Sequence, residues 1–217
     1  GDLVFFDSLG SSTTSLRWRA FDATGAQVFA TGIVFDSGPF EVQPEQAGTW
    51  EIVVDDNADA TGTYSFTAWA SGVDGPFAIG YEDVVEPGAP AAGAGEIEDP
   101  GDTDVYVLEV DAGDLVFFDS LGSSNASLRW RAFDATGAQV FATGIVFDAG
   151  PFAVQPEQAG TWEIVVDDNG DATGTYSFTV WEADVDGPYP IGLEALVAPG
   201  VPAAGAGEIE DPGDSDR

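Results

Sequence analysis

The chain has 217 residues, with 39 Asp plus Glu against 5 basic residues and no His, so its formal net charge is −34. A polyanion of this density is repelled by phosphate backbones and by anionic lipid, so neither nucleic-acid partners nor membrane insertion are expected. Without Cys, His or Met there is no thiolate nucleophile, no His-based triad and no zinc-finger or haem ligand set, and only carboxylate chemistry remains for an enzyme.

A hydrophobic fraction of 44% with 12% aromatics is too rich for a disordered acidic tail and suffices for packed cores. The first run, Gly1-Asp2-Leu3-Val4-Phe5-Phe6-Asp7-Ser8, recurs as Gly113 to Ser120, a period of 112 residues. Aligned from end to end, positions 1 to 105 and 113 to 217 differ at 18 of 105 places, so both copies must take one fold. Ten of these differences fall between Ala70 and Ala89, around Gly75-Pro76, Pro87-Gly88 and Pro90, a stretch that reads as the connector between copies.

Along the second copy, short runs alternate apolar with polar residues and are rich in β-branched and aromatic side chains. Val105–Val110, Leu115–Asp119, Leu128–Phe133 and Gln139–Ala142 are strands by this rule. In Leu128 to Phe133, period-two geometry sends Leu128, Trp130 and Ala132 to one face and Arg129 and Arg131 to the other, so Trp130 and its copy Trp18 are core. Asp134-Ala135-Thr136-Gly137 and its copy Asp22-Ala23-Thr24-Gly25 are turns, with Asp at the start and Gly where φ turns positive. Two further strands, Thr161–Val166 and Thr175–Trp181, flank a polar hairpin loop at Asp167 to Gly174. Trp69 and Trp181, at strand ends beside the connector, are expected to pack against a neighbouring domain. No segment holds a helical period. The fold class that follows is all-β, a tandem of antiparallel β-sandwich domains of jelly-roll or Ig-like kind.

The run Gly95-Glu96-Ile97-Glu98-Asp99-Pro100-Gly101-Asp102-Thr103-Asp104-Val105-Tyr106-Val107-Leu108, continuing to Ala112-Gly113, resembles the opening of bacterial pre-peptidase C-terminal domains. Gly160-Thr161-Trp162 through Gly174-Thr175-Tyr176 is similar to that family's closing strand pair. The resemblance implies jelly-roll sandwiches appended to secreted enzymes or strung in tandem in exoproteins, some binding calcium or polymers. It divides the chain into 1-74, a first copy lacking its opening strands; 75-182, a complete second copy; and 183-217, the linker and opening strands of a third copy or a donor segment for a neighbouring subunit. The chain departs from calcium-binding members at Glu86-Pro87-Gly88, where a Glu-Pro-Asn is expected, and at Ala198 in the next copy.

Calcium takes several oxygen ligands from flexible loops, and two loops concentrate them. One offers Asp99, Asp102 and Asp104, repeated as Asp211, Asp214 and Asp216; the other offers Asp167, Asp168, Asn169 and Asp171, repeated as Asp55, Asp56, Asn57 and Asp59. Neither has the EF-hand spacing. Asp7, Asp119, Glu51 and Glu163 read as outward-facing strand residues rather than as a catalytic pair, so no enzyme is expected. The functional expectation is a non-enzymatic structural repeat, extracellular or at the cell surface, in a secreted stalk, adhesin or filament cut from a longer array, whose partners are copies of itself. In a separate subunit the first copy would expose a sheet edge, to which Gly207 to Glu210 of another subunit could add a strand. The alternative is a module binding an extracellular polysaccharide through exposed aromatics, for which Phe152, Tyr189 and Trp181 are the candidates.

Overall fold

Alternation sets the strands, and the computed structural model, which describes residues 3–56, 59–168 and 170–217, places them as follows. The first copy contributes β1 (Leu3–Ser11), β2 (Leu16–Phe21), β3 (Gln27–Gly32), β4 (Ser37–Glu41), β5 (Glu51–Asp56) and β6 (Tyr64–Ser71). After them come β7 (Val73–Ile79), β8 (Val84–Val85), β9 (Glu96–Ile97), β10 (Thr103–Val110), β11 (Leu115–Ser123), β12 (Arg129–Phe133), β13 (Gln139–Gly144), β14 (Ala149–Ala153), β15 (Gly160–Asp167) and β16 (Gly174–Glu182). Two short strands, β17 (Val185–Asp186) and β18 (Ser215–Asp216), close the series. The chain is all-β, and among the described residues no helix is long and apolar enough to cross a membrane.

The chain divides into two compact units: Gly1–Asp74 with Ile97–Thr103 and Asp167–Thr173, and Gly75–Glu96 with Asp104–Val166 and Gly174–Arg217. In the first, a sheet ordered β4-β1-β6 and a sheet ordered β3-β2-β5 enclose Phe6, Leu16, Trp18, Ala20 and Ile33. Phe6 meets Trp18 edge to face, with ring centroids 6.2 Å apart, the arrangement the ring quadrupoles favour. In the second, each sheet has five strands along its path, β13-β12-β15-β10-β7 and β14-β11-β16-β8, with β9 also on β16. Its core holds Phe118, Trp130, Trp162 and Phe178, with Trp130 fully buried between Leu128 and Ala132 as the alternation requires.

The Asp-led turns form as expected. Gly137, at φ 80°, donates its N–H to Asp134 O at 2.8 Å, while Asp134 Oδ1 accepts from the N–H of Thr136 at 2.9 Å and from its hydroxyl at 2.6 Å. Gln158 donates to Asp134 Oδ2 at 2.9 Å, and Gln46 repeats that bond to Asp22.

Four expectations need correction. The loop after β15 is not a hairpin loop, because β15 and β16 lie in different sheets and the chain crosses from one to the other. The stretch around Gly75-Pro76 is not merely connector: it is strand β7, at the edge of its sheet, where proline's missing donor costs no ladder bond. Asp7 does not face outward; it is buried and accepts from Trp69 Nε1 at 3.2 Å. Trp181 repeats that bond to Asp119 at 3.3 Å, so both indoles are tied within their own units.

Candidate site: an acidic pocket

A tight turn builds the centre of the first unit's acidic group. The Asp102 N–H donates to Asp99 O at 3.1 Å, and Asp102 returns the favour by accepting from the Asp99 N–H at 2.8 Å and from the Gly72 N–H at 2.5 Å. Ser71 Oγ donates to Pro100 O at 3.0 Å and Thr103 N–H to Gly72 O at 3.1 Å, which holds the turn on the end of β6. Gly101 sits at φ +86° with Phe5 and Ser71 so close that a Cβ there would stand 2.8 Å from Phe5 Cβ and 2.6 Å from Ser71 Oγ. Only glycine satisfies both the backbone angle and the space.

Beside this turn lies a pocket of about 290 Å³, lined by Phe5, Asp36, Asp102, Asp167 and Asp168 among others, and no basic side chain lines it among the described residues. Desolvation raises the carboxyl pKa of Asp36, and the charges of Asp171 and Asp7 add to the rise. Asp102 is raised by burial and then by Asp99 and Asp74; Asp168 is raised by burial and then by Asp171. Hydrogen bonds from backbone N–H groups, Ser8 to Asp36 at 2.8 Å among them, offset this in part. Each of these carboxylates is partly removed from water and faces a further acid, so a proton or cation bound to it lowers its energy.

The donor set is oxygen only, the kind hard cations prefer.

The structure thus brings Asp102, Asp167 and Asp168 of the two expected loops together, with Asp99 and Asp171 alongside. Asp104 is buried in the second unit and accepts from the hydroxyl of Tyr176 and, at 3.4 Å, from that of Tyr106. The two tyrosine oxygens are 2.8 Å apart, and the Gly95 N–H donates to Tyr106 Oη at 2.9 Å. Burial raises the pKa of both tyrosines, so both stay protonated donors.

The equivalent loop of the first copy repeats a bond of the second, with Asp56 taking the Ala60 N–H as Asp168 takes that of Ala172. Asp55 is ion-paired with Arg19 and, at 3.9 Å, with Arg17. Asp56 accepts from the Ala60 N–H at 2.6 Å, and Asp59 is exposed. Asn57 and Asn169 lie outside the described residues.

Asp36 was not legible as a ligand in the sequence. It stands alone in Val34-Phe35-Asp36-Ser37, and only the pairing of β4 with β1 carries it to the pocket.

The second unit repeats the docked turn. Asp214 accepts from the N–H groups of Asp211 at 2.9 Å and Asp184 at 2.6 Å, Ser215 N–H donates to Asp184 O at 3.0 Å, and a Cβ on Gly213 would stand 2.7 Å from Phe117 Cβ. Asp148 takes the Ser120 N–H at 2.9 Å as Asp36 takes that of Ser8.

No family model and no curated protein matches the chain. Among solved structures, it is similar to the pre-peptidase C-terminal domain of a Bacillus anthracis collagenase, at 17% identity and a TM-score of 0.38 over 48% of this chain and 92% of that one. It is also similar to PliG, a periplasmic inhibitor of g-type lysozyme from Aeromonas hydrophila, at 13% identity and a TM-score of 0.38 over 52% and 98%. The CUB1-EGF-CUB2 segment of human MASP-1/3 matches at 11% identity and a TM-score of 0.27 over 83% and 88%.

Proposed function

We propose that the chain is a non-enzymatic structural repeat acting outside the cell, in which β-sandwich modules are strung end to end and their acidic groups are neutralised by calcium. The observation that carries this reading is the repeated docked turn. Asp99 to Asp102 is held on β6 by Ser71 and Gly72, and Asp211 to Asp214 is held after β16 by Asp184, with matching hydrogen bonds and the same glycine wedged against a phenylalanine. A device that fixes the start of one repeat onto the end of the previous one, and recurs with the repeat, is what a chain of modules needs in order to transmit force. A catalytic site needs no such repetition.

The polysaccharide reading requires a row of free aromatic faces. Phe152 instead stacks on Phe141 with centroids 5.6 Å apart, Trp181 bonds to Asp119, and the Tyr189 hydroxyl donates to Ala204 O at 3.2 Å.

Electron microscopy of native material, together with its intact mass, tests the proposal. Extended beaded fibres, or a mass of many repeats, are expected. Compact monomeric particles together with binding on a glycan array would overturn it in favour of the polymer-binding module.

A further inference from the structure

The turns that join β1 to β2 and β11 to β12 occupy equivalent places in the two copies and differ in two residues. The first reads Ser12-Thr13-Thr14-Ser15 and the second Ser124-Asn125-Ala126-Ser127. Both are closed in the same way. Ser123 Oγ donates to Asn125 O at 2.9 Å and accepts from the Asn125 N–H at 3.2 Å, and Ser11 Oγ makes the same two bonds to Thr13 at 2.8 Å and 3.4 Å. Asn125 Oδ1 then accepts from the Ser127 N–H at 3.0 Å, where Thr13 Oγ1 accepts from the Ser15 N–H at 3.3 Å. These are an Asx turn and its hydroxyl counterpart, two interchangeable ways of bridging to the backbone two residues on.

The fold therefore does not require asparagine at 125, since threonine closes the same turn in the first copy. What the exchange adds is a carboxamide two residues before a hydroxyl, with alanine between them. Asn-X-Ser, with X other than proline, is the acceptor pattern for N-linked glycosylation. It occurs once in the chain: the other two asparagines, Asn57 and Asn169, are each followed two residues later by Asp.

The surroundings suit a bulky hydrophilic branch. Ser124, Ala126 and Ser127 are exposed and Asn125 is partly so, while the next residue, Leu128, is fully buried and fixes the turn to the core. On its inner side the turn rests on β16 through backbone: the Ser124 N–H donates to Thr175 O at 2.9 Å. A Cβ on Gly174 would stand 2.6 Å from Ser124 Oγ and 3.2 Å from Asn125 Cβ, so glycine there lets the turn lie flat. Residues 120 to 128 carry no charge, in a chain whose net charge is −34.

We propose that Asn125 is an N-glycosylation site, which receives an oligosaccharide from a lipid-phosphate-linked donor as the chain is exported. In the transfer, Asn125 Nδ2 bonds to the anomeric carbon of the first sugar and the bond from that carbon to the lipid phosphate breaks. The phosphate leaves as the anion, and the proton lost by the amide nitrogen passes to a base of the transferase. Ser127 is the positioning residue, because the hydroxyl two places on is what separates an acceptor asparagine from any other. The branch sits on the second copy alone, where it adds hydration without adding charge.

The inference rests on the extracellular part of the reading above, since such donors act on exported chains, and not on the modules being strung end to end.

The test takes protein recovered from the surface or medium of its source cells. After chymotrypsin digestion, the peptides holding Asn125 and Thr13, which differ in mass, are sequenced by tandem mass spectrometry. The Asn125 peptide should be heavier by whole sugar residues that map to Asn125, and Thr13 should carry none. Asn125→Thr, which restores the turn of the first copy, should lose the sugar with an unchanged far-ultraviolet spectrum. Ser127→Ala should lose it although Asn125 remains, and Ser127→Thr should keep it. Unmodified Asn125 in exported protein, sugar that maps only to serine or threonine, or sugar that survives Ser127→Ala would overturn the inference and leave the structural reading standing. Protein found only in the cytoplasm would overturn the extracellular reading and the inference with it.

Discussion

Trp50 and Trp162 make the same hydrogen bond and end in different surroundings. The indole of Trp50 donates to Gln46 O at 2.9 Å and that of Trp162 to Gln158 O at 2.8 Å, yet Trp162 is buried to 1% exposure while Trp50 lies at the rim of a groove. The polar contact is set locally, four residues away in each case. Burial is set by a strand from elsewhere in the chain. Trp162→Ala should therefore cost about 3–5 kcal/mol, as for a fully packed aromatic, and Trp50→Ala less than about 2 kcal/mol, since little apolar area is returned to water. Urea unfolding of the two variants, followed by amide exchange in β15 and β5, checks the difference. Equal costs would mean that Trp50 is as enclosed as its copy.

The docked turn makes a sharper demand. Gly101→Ala and Gly213→Ala each place a methyl against a phenylalanine Cβ at 2.8 Å and 2.7 Å, at φ angles of +86° and +92°. Backbone strain of this kind costs about 1–3 kcal/mol. The expected outcome is local release rather than global unfolding: faster amide exchange at Gly72 and Asp102 in the first variant and at Asp184 and Asp214 in the second, with the strands unchanged. If neither turn loosens, the wedge does not hold the joint.

Much of this could be read before any coordinates. The alternation around Trp130 and Trp18 and the Asp-Ala-Thr-Gly turns are local signals, with period two or a fixed turn chemistry, and the structure has them where expected, whereas the polar loop after β15 joins strands of two different sheets and closes no hairpin. What was not legible depends on pairing between distant strands. Asp36 reaches the acidic pocket through β1, and Asp7 turns inward to meet Trp69 sixty-two residues away. Asp104 read as a loop residue, but it lies in the buried strand β10 and is met by the hydroxyls of Tyr106 and Tyr176. Pro76 hid β7, because proline in a strand is legible only once the strand is known to be an edge.

The tyrosine pair on Asp104 gives a stability prediction. Tyr176→Phe removes one hydroxyl donor from a carboxylate that is 1% exposed, and under-satisfying a buried acceptor costs about 1–3 kcal/mol. Because the ring itself stays, packing on Phe178 is retained. A thermal melt of the variant should show a lower midpoint, with an unchanged far-ultraviolet spectrum below the transition. An unshifted midpoint would mean that other donors carry Asp104 alone.

Acidity should act on the two groups of carboxylates in opposite directions. Asp36, Asp102 and Asp168 have pKa values raised by burial and by neighbouring acids. A raised folded-state pKa favours the fold below it, so their contribution is lost as pH rises through the raised values and regained on mild acidification. Asp22 and Asp134 are lowered, first by the Thr24 and Thr136 hydroxyls, so the support they give is present at neutral pH and lost only as pH falls below the ordinary carboxylate range. Stability measured by urea unfolding should rise from pH 7 to a maximum just above that range, then fall. Asp36→Asn keeps an acceptor for the Ser8 N–H and removes the repulsion. At neutral pH and low salt it should stabilise by about 0.5 kcal/mol, a figure already reduced for solvent screening, and the gain should disappear in 1 M NaCl. A destabilised Asp36→Asn protein would show that the carboxylate is held by something other than a penalty.

Calcium should relieve the same repulsion more strongly than monovalent salt at equal ionic strength, because a divalent ion shared by two or more carboxylates replaces the water each has lost. Binding to the folded chain alone raises its stability by RT ln(1 + [L]/Kd), about 2.7 kcal/mol at a hundredfold excess over Kd. The expected result is a midpoint that rises with calcium in 0.15 M NaCl and returns on adding chelator. The Asp102→Ala and Asp168→Ala proteins should respond less than the parent, while Asp55→Ala, whose carboxylate is held by Arg19, should respond as the parent does. A calcium response that survives Asp102→Ala and Asp168→Ala, or one that sodium at matched ionic strength reproduces, would reduce the acidic pocket to a diffuse charge effect. The charge of −34 would then be relieved by screening over the whole surface rather than by ion capture at this place.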